Sequence, residues 1–312
     1  MTRTGVDVEP QDPVARGEER GVAVSVVVPA FNEEAGIGRV LGGLRDALGR
    51  SSWPYEIIVV DDGSSDRTAE VAAGCGAIVV AHGRNRGYGA ALKSGIRAAR
   101  SPYILITDAD GTYPNDAVPR LLEAARDHDM VVGARTGRNV HVPLIRRPAK
   151  WFLRRLAEYL SDSEIPDLNS GFRVFRRDRV LPFFPILPSG FSFTTSITLA
   201  LLCNDGRVAY IPIDYSRRTG RSKIRPLRDT LNFAVLILRS ILYFNPMKVF
   251  LPASLVVLAG FAASIAWDVF VRFDLTEKTL ILLFAGLQLL AIGILADMIS
   301  KSGRIGPPSS TE

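Results

Sequence analysis

Between residues 23 and 130 the chain alternates short β-branched runs with stretches whose apolar residues recur every three or four positions. AVSVVVPA (23–30), YEIIVVDD (55–62), AIVVAH (77–82) and YILITDAD (103–110) predict strands. Their near-continuous Val and Ile implies strands buried on both faces. NEEAGIGRVLGGLRDAL (32–48), SSDRTAEVAAGC and GYGAALKSGIRAAR (87–100) predict the intervening helices, the second with Ser or Asp as its N-cap. This order implies an α/β fold with a mostly parallel sheet covered by helices. Ligands gather at the carboxyl ends of the strands in such sheets. PAFNE, DDGS and DADG all fall at such ends.

Beyond residue 130 the pattern is mixed. MVVGAR (130–135), LNSGFRVFRRD (168–178) and RVAYIPIDYSRR (207–218) predict later strands with turns, and RRPAKWFLRRLAEYL (146–160) an aromatic, basic helix. LNFAVLILRSILYFN (231–245) is apolar nearly all round but interrupted by Arg239. It reads as an interfacial helix (231–248), with a soluble core helix as the alternative. VFLPASLVVLAGFAASIAW (249–267) and TLILLFAGLQLLAIGILADMIS (279–300) each match the ~20 residues needed to cross a bilayer. Joined by the short VRFDLTEK, they predict a transmembrane hairpin over 249–301 in preference to two buried core helices. Lys248, Lys301 and Arg304 flank the pair, whereas Arg272 and Lys278 in the loop are offset by Asp274 and Glu277. The positive-inside comparison therefore favours cytoplasmic outer flanks. Residues 1–20 are polar and mixed in charge, so they read as a disordered tail without a signal peptide, and 302–312 as a second tail. Residues 21–230 are left as the main folded domain.

Composition sharpens this picture. Hydrophobic residues make up 47 % of the 312, with the excess at the C-terminus. Two distant cysteines, Cys75 and Cys203, and three scattered histidines exclude a disulfide framework and a zinc site and suit a reducing cytoplasm. Net charge is +6, yet residues 135–228 hold 18 Lys/Arg against 7 Asp/Glu. Such a basic stretch fits nucleic acid, an anionic membrane surface or a phosphorylated substrate. No zinc-finger, RRM or helix-turn-helix signature supports nucleic acid, and the hairpin favours the other two.

LITDADGTYPND (105–116) carries the sharpest chemistry. Asp108 and Asp110 are one residue apart where a buried strand gives way to Gly111 and Pro114, so both carboxylates can approach one pocket. Their repulsion calls for a cation, and oxygen ligands favour Mg²⁺ or Mn²⁺ shared with substrate phosphates. The plainer reading is an Asp pair capping the next helix, DAVPRLLEAA. Asp61 and Asp62 end the second strand and could hold a ribose or base. Pro29, Phe31 and Glu33 end the first, offering an aromatic face and a carboxylate. Arg173, inside NSGFR, and RRTGRSK (217–223) supply cations for phosphate oxygens or, more plainly, a solvated basic face or lipid-headgroup contact; for Arg173 chemistry is favoured, because solubility gives no reason for an NSGFR turn. GYGAALKSG lacks the G-x-G-x-x-G spacing of a dinucleotide-binding loop, and there is no P-loop or G-x-S-x-G.

In this order and spacing, VSVVVPAFNEE, IIVVDDGSSDRT, NRGYGAALKSGI, LITDADGTYP, DLNSGFRVF and RRTGRSKIRP resemble family 2 glycosyltransferases of the GT-A fold. More narrowly, they are similar to the dolichol-phosphate mannose synthase-like and bactoprenol glucosyltransferase-like enzymes, which transfer sugar to a polyprenyl phosphate. The resemblance covers about residues 22–225, and the two-helix C-terminal anchor continues it. It implies that Asp108 and Asp110 bind the metal and donor diphosphate and that Pro29, Phe31, Glu33, Asp61 and Asp62 serve the nucleoside pocket. It likewise implies that Arg173, Arg217, Ser222 and Lys223 bind donor and acceptor phosphates, with Arg173 counted among the catalytic residues. A homo-oligomer is also implied. Thr112 stands where the mannose synthases carry Gln, and FSFTTSITLA (191–200) offers only hydroxyls where many relatives carry Glu.

Charge sets the expected mechanism. An acceptor phosphate is already anionic at neutral pH, so no general base is needed. The enzyme must bring two anions together and stabilise the departing nucleoside diphosphate. In-line attack with inversion follows by resemblance, with a UDP-hexose (glucose before GlcNAc) ranked ahead of GDP-mannose as donor. A processive polysaccharide synthase is disfavoured, because the only glutamines, Gln11 and Gln288, stand in no QxxRW context and two spans are few for a polymer channel. A non-catalytic module binding nucleotide sugar or anionic lipid is the other alternative.

Overall fold

In the computed structural model of the chain, the described residues are 24–136, 154–159, 161–190, 192–215, 235, 238, 242–243 and 245–302. They fall into two compact units. The first holds a seven-stranded sheet of β1 (Val24–Ala30), β2 (Tyr55–Asp61), β3 (Ile78–Ala81), β4 (Tyr103–Ile106), β5 (Met130–Ala134), β6 (Arg173–Arg176) and β7 (Val208–Pro212). Its spatial order is β3-β2-β1-β4-β6-β5-β7. Neighbouring strands are parallel, except that β6 runs antiparallel to both β4 and β5. Helices α1 (Glu34–Gly49), α2 (Thr68–Gly74), α3 (Tyr88–Ala98) and α4 (Val118–Ala124) connect the first five strands. The α/β class and mostly parallel sheet expected from the sequence are thus present.

Alternation along β1 explains the layering. Val24, Val26 and Val28 share one core cluster with Ile37, Val40, Leu41 and Leu44 of α1 and Val118, Leu121 and Leu122 of α4. Helix α3 lies over β1 and β2. Each fully buried aliphatic side chain contributes about 1.5–3 kcal/mol of transfer free energy, so this layer is a major source of the unit's stability.

Three local departures have physical causes. Strand β4 stops at Ile106, so Asp108 and Asp110 lie in a turn that Gly111 completes at φ +70°. Helix α2 begins at Thr68, because the Asp66 carboxylate accepts the Thr68 N–H at 3.0 Å and the Glu34 N–H at 3.2 Å. The Asp108–Asp110 pair does not cap the following helix: that segment opens as a 3₁₀ turn at Asn115 behind Pro114, without a side-chain cap.

A short apolar helix, α5 (Phe193–Leu202), follows β6 in the chain. In the second unit, α6 (Met247–Trp267) and α7 (Glu277–Ser302) are long and apolar enough to cross a membrane, and most of their surface faces outward. Hydrogen bonds tie them together. Ser254 Oγ donates to Gly286 O at 2.8 Å, and the hydroxyls of Ser264 and Thr279 lie 2.6 Å apart. At the turn, Asp268 Oδ2 accepts the Thr276 N–H at 3.0 Å and the hydroxyls of Thr276 and Thr279 at 2.6 Å. That carboxylate caps the first turn of α7, where the orphan N–H groups lie. Lys248, at the start of α6, donates to Tyr159 O at 3.1 Å and pairs with Asp162. The tail 1–20, Arg217, Ser222, Lys223, most of the 231–248 segment and 303–312 lie outside the described residues.

Candidate active site

The register of the sheet brings the sequence motifs to one edge. Ala30 pairs with Asp61 across β1 and β2, so PAFNE and DDGS leave the sheet side by side. Val27 pairs with Ile106 across β1 and β4, which sets DADG next to them. Ile106 in turn pairs with Arg173 of the antiparallel β6, so the NSG loop enters where the DADG turn leaves.

The first two loops are laced together. Asn32, in the left-handed region at φ +56°, accepts the Ser65 N–H on its Oδ1 at 2.8 Å and donates its own N–H to Ser64 Oγ at 2.9 Å. The Glu33 N–H donates to Thr68 Oγ1 at 2.9 Å. Pro29 sits within β1, and Phe31 keeps 40 % of its surface exposed at the rim. Asp61 and Asp62 are both buried, with different engagements. Asp61 Oδ1 accepts the N–H of Ser64 at 3.1 Å and its hydroxyl. Asp62 takes the Arg86 N–H on Oδ1 at 2.9 Å and the Gly87 N–H on Oδ2 at 2.8 Å, and His82 Nδ1 lies 2.6 Å from Oδ1. The other His82 nitrogen, Nε2, lies 2.9 Å from Ser94 Oγ. In this structure Asp62 therefore holds the loop before α3.

The acidic pair is held by hydroxyls. The Tyr88 phenol, on the first residue of α3, donates to Asp108 Oδ1 at 2.9 Å. Thr112 donates its hydroxyl to Asp110 Oδ1 at 2.7 Å and its N–H to the same oxygen at 3.1 Å. Gly171 closes over Asp108: a Cβ there would lie 3.0 and 3.1 Å from its carboxylate oxygens and 2.9 Å from Tyr88 Oη. Only glycine lets the loop pass that close. Its N–H donates to Tyr113 Oη at 2.7 Å, and the Tyr113 ring stacks on Phe172. Burial pushes the Tyr88 phenol pKa well up, and the Asp108 carboxylate adds to the shift. Burial, followed by Asp108, also raises that of Tyr113. Both phenols therefore keep their protons at neutral pH.

Arg173 has no exposed surface. Its Nε donates to Ser170 O at 3.0 Å, its Nη2 reaches the same carbonyl, and its Nη1 donates to Thr194 O at 2.9 Å. The sequence places this arginine on phosphate. In the structure its guanidinium grips the backbone of the loop that carries Gly171. The GYG segment receives residues 188–190. A Cβ on Gly89 would collide with Pro188 O, and the Ala90 N–H donates to Ser189 O at 3.0 Å. These glycines admit a neighbouring backbone, which fixes Tyr88 between them.

Asp108, Asp110 and Arg173 are thus brought to one edge, with the ends of β1 and β2 beside them. Tyr88, Tyr113 and His82 are not among the candidate site residues read from sequence, and Thr112 enters there only as the residue in place of the relatives' Gln. A tyrosine framed by two glycines at a helix start was the available signal for Tyr88. Among the described residues no group of three or more His, Cys, Asp or Glu side chains forms a metal cage. Two hard carboxylates without such a cage fit a divalent cation whose remaining ligands come from a bound diphosphate.

A family model described as Glycosyl transferase family 2 matches residues 25–180, and one described as the GtrB C-terminal hairpin matches 245–302. Among curated proteins, a dolichyl-phosphate hexose transferase of Haloferax volcanii is 32 % identical, covering 65 % of this chain and 87 % of its own. An undecaprenyl-phosphate mannosyltransferase of Micrococcus luteus is 31 % identical, covering 64 % and 87 %. An undecaprenyl-phosphate 4-deoxy-4-formamido-L-arabinose transferase of Pseudomonas paraeruginosa is 29 % identical over 89 % of this chain and 85 % of its own. Among solved structures, glucosyl-3-phosphoglycerate synthase of Mycobacterium tuberculosis with Mn²⁺, UDP and product superposes with a TM-score of 0.53 at 23 % identity, covering 71 % and 79 % of the two chains. That likeness shows a shared GT-A-like fold. With the sheet order, the acidic turn and the family match in agreement, the chain belongs to glycosyl transferase family 2.

Proposed function

We propose that this protein is a membrane-anchored, inverting glycosyltransferase that moves a hexose from a nucleoside-diphosphate sugar to a polyprenyl phosphate. The observation that carries the reading is the Asp108–Asp110 pair, held by Tyr88 and Thr112 at the edge where three parallel strands end. The names of its relatives, which act on dolichyl and undecaprenyl phosphate, support the acceptor class. UDP bound to a protein of the same fold supports a uridine donor, with a glucose-type sugar ahead of GDP-mannose.

In this reading Asp108 and Asp110 hold Mg²⁺ or Mn²⁺, which when bound neutralises charge on the donor diphosphate. Pro29, Phe31, Glu33 and Asp61 face the nucleoside, while Asp62 supports that pocket through the Arg86–Gly87 amides. Arg173 keeps Gly171 against Asp108 by gripping Ser170 O. Arg217, Ser222 and Lys223 supply phosphate contacts from outside the described residues. An acceptor phosphate oxygen forms the new bond to the anomeric carbon from the face opposite the leaving group. The bond from that carbon to the β-phosphate oxygen breaks, its electron pair leaves with the nucleoside diphosphate, and the anomeric configuration inverts. No protein base is required, because the acceptor arrives ionised.

Helices α6 and α7 then form a transmembrane hairpin, and the catalytic domain (21–230) works at the cytoplasmic surface, where the acceptor headgroup lies. The test is a donor panel. Detergent-purified protein is given a short polyprenyl phosphate, Mg²⁺ or Mn²⁺ and a series of UDP- and GDP-sugars, and the lipid products are identified by mass spectrometry. Polyprenyl-phosphate hexose formed best from UDP-glucose supports the reading. Donor binding without any glycolipid, across the panel and several lipid lengths, contradicts it.

A further inference from the structure

Carboxylate torsions of aspartate are soft and nearly two-fold, so a metal-binding pair needs outside help to hold one orientation. In this chain the help comes from two hydroxyls on different elements. Tyr88 Oη engages Asp108 Oδ1 at 2.9 Å from the start of α3, and Thr112 Oγ1 engages Asp110 Oδ1 at 2.7 Å from within the turn. The Tyr88 anchor is itself fixed: Gly87 stands at φ +96°, and the neighbouring Gly89 and Ala90 are closed over by the backbone of residues 188–190. Thr112 is 2 % exposed and adds its own N–H to the same carboxylate oxygen. The two clasps are chemically alike but structurally independent.

We propose that Tyr88 and Thr112 are positioning residues that preset Asp108 and Asp110 for a divalent cation, so that cation affinity is written partly in these two hydroxyls. The inference rests on the reading of Asp108 and Asp110 as cation ligands. Partners that orient metal ligands are commonly worth about 10–100-fold in affinity. Among the described residues the Thr112 hydroxyl hydrogen-bonds to Asp110, two residues back, so it acts through that carboxylate.

The experiment titrates Mn²⁺ into the full-length protein in detergent, alone and with UDP or GDP, and reads the free-ion signal by electron paramagnetic resonance. Tyr88→Phe and Thr112→Val are each expected to weaken Mn²⁺ binding about tenfold or more. The double variant should bind Mn²⁺ more weakly than either single variant, because both carboxylates then lose their anchors. Thr112→Ser, which keeps the hydroxyl, should restore affinity. Unchanged thermal unfolding of the single variants would locate the effect in the site. Mn²⁺ affinity within twofold of the parent for both Tyr88→Phe and Thr112→Val overturns the inference while leaving the ligand assignment standing. Parent protein that binds no Mn²⁺ under any of these conditions, or binds it equally after Asp110→Asn, overturns both.

Discussion

Gly171 lies so close to Asp108 that a single added methyl would sit 3.0 and 3.1 Å from the two carboxylate oxygens. The contact joins two motifs more than sixty residues apart in sequence and explains why NSGFR needs its glycine. Gly171→Ala should push Asp108 or the loop aside. Misplacement of about 1 Å at a reacting centre can cost about 100-fold in rate, whereas crowding of this kind costs about 1–3 kcal/mol in stability. Steady-state kinetics beside thermal unfolding should therefore show activity falling at least tenfold in a protein that still folds.

Arg173 is expected to behave as a buried clasp. Arg173→Met removes the donors to Ser170 O and Thr194 O, and each orphaned buried group costs about 1–3 kcal/mol. Denaturant unfolding should register a loss of about 2–5 kcal/mol, with Arg173→Lys intermediate. A fully stable Arg173→Met protein with weakened donor or acceptor binding would instead return this residue to the phosphate role read from sequence.

The two buried phenols predict alkaline sensitivity. Burial raises the folded-state pKa of both Tyr88 and Tyr113 above the ordinary value of 10.0. Below about pH 10 both states keep these protons and no pH dependence arises. Above it the unfolded chain releases them while the native state holds them, so stability falls as pH rises. The slope is about 1.4 kcal/mol per pH unit for each tyrosine. Unfolding followed from pH 8.5 to 11 should show the slope reduced by about one proton in Tyr88→Phe and again in Tyr113→Phe.

Asp268 supplies three hydrogen bonds at the turn between α6 and α7. Replacing it by Ala removes a helix cap, worth about 0.5–2 kcal/mol. Protease protection of the 268–276 turn in detergent should decrease in Asp268→Ala and be largely kept in Asp268→Asn. Equal protection in all three proteins would show that the cap contributes nothing to the turn.

The sheet's first four strands were legible because their Val and Ile runs are dense and their turns carry Gly, Asp and Ser. Val24–Ala30 and Tyr55–Asp61 fall within a residue of the segments read from the pattern. The direction of β6 was not legible, since an RVF run reads the same in either sense and only pairing with β4 and β5 decides it. The acidic turn was visible as two Asp at a strand end, whereas its support was not. Tyr88 precedes Asp108 by twenty residues, and Gly171 follows by sixty-three. Such proximity depends on how α3 and β6 pack, which local spacing does not encode. Asp62 illustrates the same limit: its partners His82, Arg86 and Gly87 come from the next strand and loop.

The most direct measurement is the rate of sugar transfer to polyprenyl phosphate by the parent protein, by Asp110→Asn and by the parent in excess chelator. The account predicts a polyprenyl-phosphate hexose from the parent with divalent cation, a loss of at least 100-fold in Asp110→Asn, and a loss with chelator that added Mn²⁺ reverses. Transfer that persists at parental rate in Asp110→Asn would contradict it, because the carboxylate pair at the sheet edge would then not be the centre of the chemistry.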